Sequence, residues 1–319
     1  MQKLRIYISN STNVFYNLAL EEYLVTSSTE DILLFYVNTD AVVIGKHQNP
    51  WKEVDLTPIT KNLDTHTVAR RLSGGGTVFH DNGNINFSFV RNKELDFVNF
   101  REHIEPVSAA LKSLGIQNSI SPRNDIFVNE HKISGNAEHV NSKVKRILHH
   151  GTLLYDSNII KLNGSIKPKK ALNIKTHAVD SVRSPVMNIR SICDLGDTQS
   201  FLDKLISEIR NHLDVWSVKK IQPENITEVC SLVNDKYITW NWNFGHTPQF
   251  TYTNNLGEEI KVRKGKIEGI KSTYLNPNET QRYLGNYIDS QGYFENKGAV
   301  ESGPKMEDYF RFKIEINDK

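Results

Sequence analysis

The sequence is poor in cysteine, in net charge and in long hydrophobic runs. It contains only Cys193 and Cys230, which argues against a disulfide framework and excludes a cysteine-rich metal site. The formal net charge of +2 is too small to indicate nucleic acid as a partner of the whole chain. No apolar run approaches the ~18 residues that cross a bilayer, and the first residues lack signal-peptide or transit-peptide character. We therefore expect a cytoplasmic protein with neither membrane nor nucleic acid as a partner.

What is present is the composition of a folded globular protein. Hydrophobic residues make up 38% and charged residues 24% of the 319 residues, a balance that excludes a disordered or membrane-embedded chain. The length alone suggests about two domains.

Helix-like and strand-like segments are mixed along the chain, which predicts an α+β fold. Apolar residues recur at helical spacing in residues 13–27, in 100–114 before Gly115, and in 199–213. Short apolar or alternating runs predict strands at 32–37, 41–46, 67–71, 77–79, 84–90, 125–128, 131–134 and 146–155.

A break in regularity at residues 240–248, with Gly245 and Pro248, predicts a domain boundary. We place a large domain at 1–244 and a small accessory domain at 245–319. In the accessory domain we expect a hairpin and a last helix near 277–288.

Three consecutive glycines, Gly74 to Gly76, lie between two strand-like runs. Glycine loses the most backbone entropy on folding, so such a run is expected where main chain approaches a ligand closely. Free N–H groups there can bind phosphate or carboxylate oxygens, and Arg70 and Arg71 would add bidentate anion donors. The pattern is neither a Walker loop nor a Rossmann fingerprint. The structural alternative is a tight turn beside a surface arginine pair.

A second polar group follows at residues 123–126 and 131–137. Lys132 precedes Ser134-Gly135-Asn136 and suits a carboxylate or phosphate oxygen, because a fixed ammonium offsets the charge that builds as a carboxylate attacks phosphorus. Asp125 could bind Mg²⁺, which takes oxygen ligands. Taken alone, these residues could equally be a surface lysine and a turn aspartate.

His149 and His150 are adjacent on a predicted strand. Neighbouring strand residues point to opposite faces, so the pair is poor evidence for a shared metal site. At most one of the two is expected to line a pocket.

Together these segments resemble the lipoate–protein ligase A family, and through it the wider biotin/lipoate ligase superfamily. The combination of the glycine block with Lys132-Ile133-Ser134-Gly135 is specific, although Pro122 and His131 depart from the family's common residues. The resemblance covers nearly the whole chain and is carried by NLALEEY (17–23), VVIGKHQNPWKEV (42–54), RRLSGGGTVFHDNGNINFSF (70–89), RNDI (123–126), HKISGNAEH (131–139), HHGTLL (149–154), SVRSPVMNI (181–189) and WNWNFG (240–245).

The resemblance implies a catalytic domain at 1–244 with a central β-sheet flanked by helices, and a small C-terminal α+β domain. It also implies an enzyme that uses ATP and Mg²⁺ to convert lipoate to lipoyl-AMP and then transfers the lipoyl group to a specific lysine. The acceptors would be lipoyl domains of 2-oxoacid dehydrogenase acyltransferase subunits, or the glycine-cleavage H protein. We expect a monomer.

By position, the resemblance assigns Lys132 as the catalytic residue that contacts both the lipoyl carboxyl and the α-phosphate. Asp125 is the candidate Mg²⁺ ligand. The expected ATP- or AMP-binding residues are Arg71, Gly76, Thr77, Val78, Phe79, Asn124, Asp125, Lys132 and His150. The expected lipoate-binding residues are Leu18, Arg71, Ser73, Gly75, Gly76, His80 and Lys132. Because an acyl-adenylate must be kept from water, we also expect residues 167–184 or the lysine-bearing loop to order when it forms.

Other functions stay open at this stage. A lipoyltransferase that uses preformed lipoyl-AMP needs the same pocket. A non-catalytic lipoate- or nucleotide-binding protein would not need Lys132 between the two ligands. A biotin ligase usually has a different glycine-rich arrangement. An octanoyl-carrier-protein transferase would need a nucleophile, and Cys193 and Cys230 lie outside the pocket motifs.

Overall fold

The computed structural model describes residues 3–56, 67–92, 99–166, 173–253, 257–273, 276–281 and 284–285. The strands are β1 (Leu4–Ser9), β2 (Ile32–Tyr36), β3 (Ala41–Ile44), β4 (Thr67–Arg70), β5 (Val78–His80), β6 (Asn84–Asn92), β7 (Ser119–Ile120), β8 (Ile126–Val128), β9 (His131–Ser134), β10 (Asn136–Asn141), β11 (Arg146–Leu154), β12 (Asn173–Thr176), β13 (Val215–Ile221), β14 (Phe250–Thr253), β15 (Glu259–Arg263) and β16 (Lys266–Lys271).

The α-helices are α1 (Val14–Ser27), α2 (Pro50–Glu53), α3 (Phe100–Ser113), α4 (Ile159–Ser165), α5 (Thr198–His212), α6 (Thr227–Leu232) and α7 (Pro277–Gln281). Short 3-10 turns lie at Ile189–Ser191 and Pro223–Asn225, and π-helical turns at Val233–Tyr237 and Asn241–Gly245. The mixture of helices and sheets confirms the predicted α+β class. Among the described residues, we find no helix with both the length and the hydropathy needed to span a membrane.

A mixed six-stranded sheet in the order β10-β11-β6-β2-β1-β13 organises the larger part of the chain. Only the pairs of β1 with β2 and with β13 are parallel. Because side chains alternate along a strand, β2 directs Leu33 and Phe35 into one apolar cluster and Leu34 and Tyr36 into another. The sheet is therefore buried on both faces.

One face of this sheet packs against α3 and α5 and is apolar apart from the buried cluster of His103, Glu138 and His149. The two helices present residues at three- and four-residue spacing, the stripe that an amphipathic helix turns to a core. Each fully buried Leu, Ile or Phe stabilises the fold by about 1.5–3 kcal/mol. The helical residues buried here are Ile104, Val107, Ala110, Leu111, Phe201, Leu202, Leu205, Ile206 and Ile209.

The opposite face packs against α1 and α6 and carries buried polar groups as well as apolar ones. Helix α1 is capped at its N-terminus by Asn13, whose Oδ1 accepts from Phe15 N at 2.9 Å. It brings Leu18 and Glu21, both almost fully buried, over Ser88 of β6 and His150 of β11. A sheet face that buries a carboxylate and an imidazole needs hydrogen-bonding partners, and these form one wall of the site described below.

Three smaller sheets complete the structure. Strands β4-β3-β5 and β7-β8-β9 form two of them, and β12-β14-β15-β16 form the third. The expected hairpin in residues 249–271 is thus a three-stranded meander, to which β12 adds a fourth strand. The described part of the predicted last helix is Pro277–Gln281.

One local prediction is wrong. Residues 241–245, expected to break regularity, form a π-helical turn that ends at Gly245. The reason is local hydrogen bonding: the Asn243 side chain donates to Tyr237 O at 2.6 Å and Thr239 O at 3.1 Å, which keeps the chain coiled through this stretch.

An apolar cluster joins the sheet β12-β14-β15-β16 to the larger part of the chain. Trp51 lies at its centre, 5.3 Å from the ring centre of Phe250 and 5.5 Å from that of Phe244. Val42, Ile44, Phe79 and Leu154 contribute from one side, and Tyr252, Ile260, Val262 and Ile267 from the other.

Candidate active site

A cavity of about 370 Å³ connects the glycine block to Lys132. Its lining runs from the exposed Arg123 and the half-exposed Lys132 to side chains that are almost completely buried. At the buried end of the cavity, the lining residues are Leu18, Tyr36, Val43, His80 and Asn86. Apolar and polar side chains therefore both line the cavity, and the ammonium of Lys132 lies toward its exposed end.

Arg71 holds the glycine block, Gly74 to Gly76, in place through hydrogen bonds. Its Nη2 donates to Gly74 O at 2.6 Å and Gly76 O at 2.7 Å, and its Nε donates to Ser73 Oγ at 2.9 Å. These bonds turn the loop carbonyls toward the guanidinium. Arg71 also lines the cavity, so it can act on a ligand while it holds the loop. Burial lowers the pKa of Arg71 to about 10, which leaves it charged at neutral pH.

Arg70, which the sequence suggested as a second anion donor, is a structural residue and that prediction is wrong. It is fully buried, and its guanidinium donates to Thr247 Oγ1 and to main-chain oxygens of Gly45, Lys46, Gln48, Trp242 and Asn243. It fastens the glycine block to residues 45–48 and to the 241–245 turn.

The three glycines differ in what they require. Gly75 has φ +85°, and a Cβ there would also lie 3.0 Å from Arg71 Nη2. At Gly76 a Cβ would lie 3.2 Å from Ser181 Oγ, whereas at Gly74 it would meet nothing within 4 Å. Glycine is therefore required at positions 75 and 76, where a side chain would crowd Arg71 or Ser181. At position 74 a side chain would meet open space.

Lys132 lies between two cavities. Its Nζ is 2.9 Å from Asp125 Oδ1, and its side chain lines both the first cavity and a second one of about 160 Å³. The second cavity is mainly apolar and includes Phe79, Leu154 and Val186. A Cβ on Gly135 would lie 2.9 Å from Lys132 Cε and 3.0 Å from Nζ, so the absence of a side chain at 135 makes room for the ammonium.

The segment 179–187 closes over both cavities. Lys132 N donates to Pro185 O at 2.8 Å, which ties the segment to β9. Ser181 Oγ accepts from Thr77 N at 2.9 Å and from Gln48 Nε2 at 3.0 Å. The segment and the glycine block are therefore fixed to each other through one hydroxyl.

A buried hydrogen-bonded chain supports the glycine block from α1. Glu21 Oε1 lies 3.0 Å from His150 Nδ1, and His150 Nε2 lies 2.6 Å from Ser73 Oγ. Burial raises the pKa of Glu21, but the contacts with His150, Ser88 and Tyr36 outweigh it, and the net shift is downward. The carboxylate is therefore ionised and orients the imidazole.

His80 places a neutral imidazole at the buried end of the first cavity. Burial lowers its pKa to about 3, with a smaller contribution from Arg71. Its Nδ1 accepts from Asn38 Nδ2 at 3.0 Å, so Nε2 carries the proton. That N–H has no hydrogen-bond partner within the described parts of the chain, which leaves it available to a ligand.

His149 points to the other face of the sheet, as the alternation of strand residues predicts, and only His150 lines the cavity. His149 lies with His103 of α3 and Glu138 of β10, a cluster whose side chains are at most 3% exposed. Burial lowers the pKa of His149 to about 4. Burial raises the pKa of Glu138, but its close contacts with His103 and His149 more than offset this and lower it.

The structure brings almost all residues of the predicted site together. The first cavity is lined by Leu18, Arg71, Gly75, Gly76, Thr77, Val78, His80, Asn124, Asp125, Lys132 and His150, and Phe79 lines the second. Ser73 lies beneath the loop, bonded to Arg71 and His150. Sequence reasoning assigned no role to Glu21, Gln48, Asn136 or Ser181, although each lies in a quoted motif. Polar residues inside otherwise apolar segments, as at Glu21, are the signal that could have indicated them.

Comparison with known proteins identifies the family. The family model of the lipoyl protein ligase A/B catalytic domain matches residues 13–210. Lipoate-protein ligase LplJ of Bacillus subtilis is 38% identical over 268 residues, 80% of each chain. Lipoate–protein ligase 1 of Staphylococcus aureus is 38% identical over 280 residues, 83% of each chain.

Solved structures agree. LipL1 of P. falciparum in complex with lipoate superposes with a TM-score of 0.64 at 26% identity, covering 91% of this chain and 92% of that one. A lipoate-protein ligase A bound with ATP gives 0.62 at 27% identity, covering 77% and 100%. A bipartite ligase of Thermoplasma acidophilum, studied with its E2 lipoyl domain, gives 0.64 at 27% identity, covering 77% and 98%.

The fold and the matched family model thus define a protein with a lipoyl protein ligase catalytic domain. Within that class, the chain belongs to the lipoate–protein ligase family. Its activity is the ATP-dependent ligation of lipoate.

Proposed function

We propose that this single chain carries out both half-reactions, activation of lipoate and transfer of the lipoyl group, at the ammonium of Lys132. The observation that carries this proposal is the position of Lys132 between two cavities of different character. A cation at that junction can contact a carboxylate in one cavity and a phosphate in the other. The full ligase is therefore favoured over a protein that only binds one of the two ligands.

The first cavity suits lipoate. Its buried end combines apolar surface from Leu18 and Val43 with the free N–H of His80. Methylenes buried there would contribute roughly 0.8 kcal/mol each, and the N–H faces the position of the dithiolane, whose sulfurs are weak acceptors. Gly75, together with the hydrogen-bonded pair Ser73 and Arg71, would form part of the wall of the first cavity. The lipoate carboxylate would lie beside Lys132.

The second cavity suits the nucleotide. Val78 and Phe79 offer apolar surface to a base; Thr77 lines both cavities, and Gly76 lines the first. The phosphates would extend past Lys132 into the first cavity, whose lining includes Arg71, Asn124, Asp125 and His150. Asp125, with the side-chain oxygen of Asn124, would supply oxygen ligands of the kind that Mg²⁺ takes. When bound, the ion would neutralise phosphate charge.

In the first step, a lipoate carboxylate oxygen attacks the α-phosphorus of ATP, and the bond from that phosphorus to the bridging oxygen of pyrophosphate breaks. Lys132 exchanges its ion pair with Asp125 for contacts with the carboxylate and the phosphate, and it stabilises the charge of the transition state. In the second step, a neutral acceptor amine attacks the acyl carbon. AMP leaves with the electron pair of the C–O bond, and the amine proton passes to solvent.

The acceptor is a lysine on a carrier domain, of the kind that the Thermoplasma relative is studied with. We propose lipoyl domains of 2-oxoacid dehydrogenase acyltransferase subunits or the glycine-cleavage H protein, and a monomeric, cytoplasmic enzyme. We also keep the division into residues 1–244 and 245–319 as a proposal. The shared apolar cluster around Trp51 suggests that the two parts depend on each other for stability.

The test is lipoate-dependent exchange between ATP and pyrophosphate. Lys132→Met keeps side-chain volume but removes the charge, and it is expected to lower the exchange rate by about 10²–10³-fold, as the loss of one preorganised electrostatic group does. Lys161→Met is the control, because Lys161 forms an ion pair with Asp40 and its side chain lines neither cavity. Normal exchange in Lys132→Met would refute the proposed role. No exchange in the wild-type chain, with transfer from preformed lipoyl-AMP intact, would indicate a transferase.

A further inference from the structure

A His-Glu-His cluster outside the proposed reaction path is the feature with no assigned role. His103 of α3, Glu138 of β10 and His149 of β11 each offer a ligand atom, and these atoms all lie within 4.8 Å of one another. Glu138 Oε1 is 2.7 Å from His149 Nδ1 and 3.3 Å from His103 Nδ1. The imidazoles are stacked, with ring centres 4.9 Å apart.

His149 lies between two hydrogen-bond acceptors. Nδ1 faces Glu138 Oε1, and Nε2 is 3.3 Å from Asn136 Oδ1. The Asn136 amide is oriented by its Nδ2, which donates to Asn124 O at 2.8 Å and to Ser134 Oγ at 3.2 Å. A neutral imidazole has one N–H and one lone pair. One of its nitrogens must therefore direct a lone pair at an acceptor, unless a cation lies on that side.

Two further atoms of the cluster lack partners. Neither His103 Nδ1 nor Glu138 Oε2 has a partner with hydrogen-bonding geometry in the described part of the chain, and both are buried. Buried polar atoms are normally satisfied, so each exception calls for an explanation. Here an imidazole nitrogen and a carboxylate oxygen, next to the doubly acceptor-flanked His149, lack well-formed hydrogen bonds at the same point.

We propose that the His-Glu-His cluster binds a divalent transition-metal ion, with Zn²⁺ as the representative. Two imidazoles and a carboxylate are a common ligand set for such ions. The ion would accept lone pairs from His103, His149 and Glu138. The Nδ1 proton of His149 moves to Nε2, which then donates to Asn136 Oδ1, the outer-shell bond typical of metal-bound histidine. Protons balance, and no redox change occurs.

Binding requires the ligand atoms to adjust in both directions. Tetrahedral zinc holds its ligand atoms about 3.4 Å apart, so the 2.7 Å contact between Glu138 and His149 must lengthen and the widest separation in the cluster, at most 4.8 Å, must shorten. Phe100 and Glu138 also line the first cavity, which gives an ion a route to the cluster and room for a water as the fourth ligand.

Cobalt substitution tests the site directly. The whole protein, treated with a chelator and then dialysed, is titrated with Co²⁺ while visible absorption is recorded. We expect intense d–d bands that saturate at one Co²⁺ per chain and disappear when Zn²⁺ is added. We also expect Zn²⁺ to raise the Tm by several degrees at a large excess over its Kd, because an ion that binds only the folded state stabilises it. Neither readout uses lipoate or ATP, so the result is independent of the proposed function.

Glu138→Gln is the diagnostic variant, since it keeps the shape and hydrogen-bonding capacity of the side chain but removes its charge. It is expected to weaken Co²⁺ binding at least about 100-fold, with far-ultraviolet circular dichroism unchanged. His131→Gln, which removes an exposed imidazole, is the matched control and should bind as wild type does. A wild-type protein that shows only the weak spectrum of hydrated Co²⁺, or a Glu138→Gln protein that binds equally well, would overturn the proposal. The cluster would then be held together by protons alone.

Discussion

At the scale of single residues, the site depends on positions that lack a side chain as much as on those that have one. Lys132 can lie between the two cavities because Gly135 leaves space beside its Cε and Nζ. The contact is with the end of a flexible side chain, so a methyl group at 135 would displace the ammonium without disrupting the fold. Position 135 is thus a place where function and stability can be separated.

Gly135→Ala is expected to reduce kcat/KM of lipoate-dependent exchange at least tenfold, about 1.4 kcal/mol of transition-state stabilisation, while its Tm stays close to that of the wild type. Gly164→Ala is the matched control, because Gly164 lies one residue before the end of α4 and a Cβ there would meet nothing within 4 Å. It should keep full activity and gain about 0.5–1 kcal/mol of stability. Equal activity in the two variants would contradict the account of Lys132.

The buried histidines predict a pH dependence of stability. His80 and His149 have pKa values of about 3 and about 4 in the folded state, against ~6.5 when unfolded. Below pH ~6.5 the unfolded chain binds protons that the folded chain does not, so the free energy of unfolding falls as pH decreases toward 4. Each histidine contributes a slope of up to about 1.4 kcal/mol per pH unit.

Urea unfolding of His80→Asn between pH 6.5 and 4.5 tests this. Asparagine can still accept from Asn38, so the fold should persist, and the slope of stability against pH should decrease by up to about 1.4 kcal/mol per pH unit. His131→Asn, which changes an exposed histidine, should leave the slope unchanged. A slope that is the same in all three proteins would show that His80 titrates normally.

At the scale of elements, α1 links the N-terminal part of the chain to the glycine block. Its residues Leu18 and Glu21 reach the cavity wall and His150. Asn13→Ala removes the side-chain cap and is expected to cost about 1 kcal/mol of stability. Thr12→Ala, at an exposed neighbouring position, should change stability by less than about 0.5 kcal/mol. Chemical denaturation of both variants measures the difference, and equal stabilities would mean that the cap contributes nothing.

The elements also show what the sequence could and could not predict. Periodicity located α1, α3, α5 and three of the six central strands, β2, β6 and β11, because a buried stripe or alternating face is a local signal. Gly115, with φ +84°, ends α3 as expected. The pairing of β12 with β14 could not be predicted, because it joins segments about 75 residues apart through short strands without strong apolar patterns.

The same limit applies within the site. The family resemblance assigned Lys132, Arg71 and the glycine block to one site, and in the structure they line the same cavity. The burial of Arg70 and the bridge made by Ser181 between Gln48 and Thr77 were missed. Each depends on contacts across the chain, and arginine and serine have no pattern that distinguishes a buried hydrogen-bonding role from an exposed one.

At the scale of the whole molecule, the sheet β12-β14-β15-β16 completes the apolar cluster around Trp51. Trp51 packs against Phe244 and Phe250, and β12 needs β14 as its partner. A chain ending at residue 244 would lose Phe250, Tyr252, Ile260, Val262 and Ile267 from the shared cluster. At about 1.5–3 kcal/mol for each buried side chain, the loss approaches the stability of a typical domain.

Thermal unfolding of residues 1–244 is therefore expected to show a Tm lower by more than about 10 °C, or no cooperative transition. A chain ending at residue 285, which keeps β14 to β16, is the control for the shortened length. A 1–244 protein as stable as the full chain would show that the first 244 residues are an independent domain.

The most direct test of the central claim is mass spectrometry of a purified lipoyl domain after incubation with the chain. The account predicts that free lipoate and MgATP together add one lipoyl group to one lysine. Lys132→Met should add none from free lipoate and should transfer slowly from supplied lipoyl-AMP. Modification by the wild type only when lipoyl-AMP is supplied, or unimpaired modification by Lys132→Met, would contradict the claim that one ammonium serves both steps.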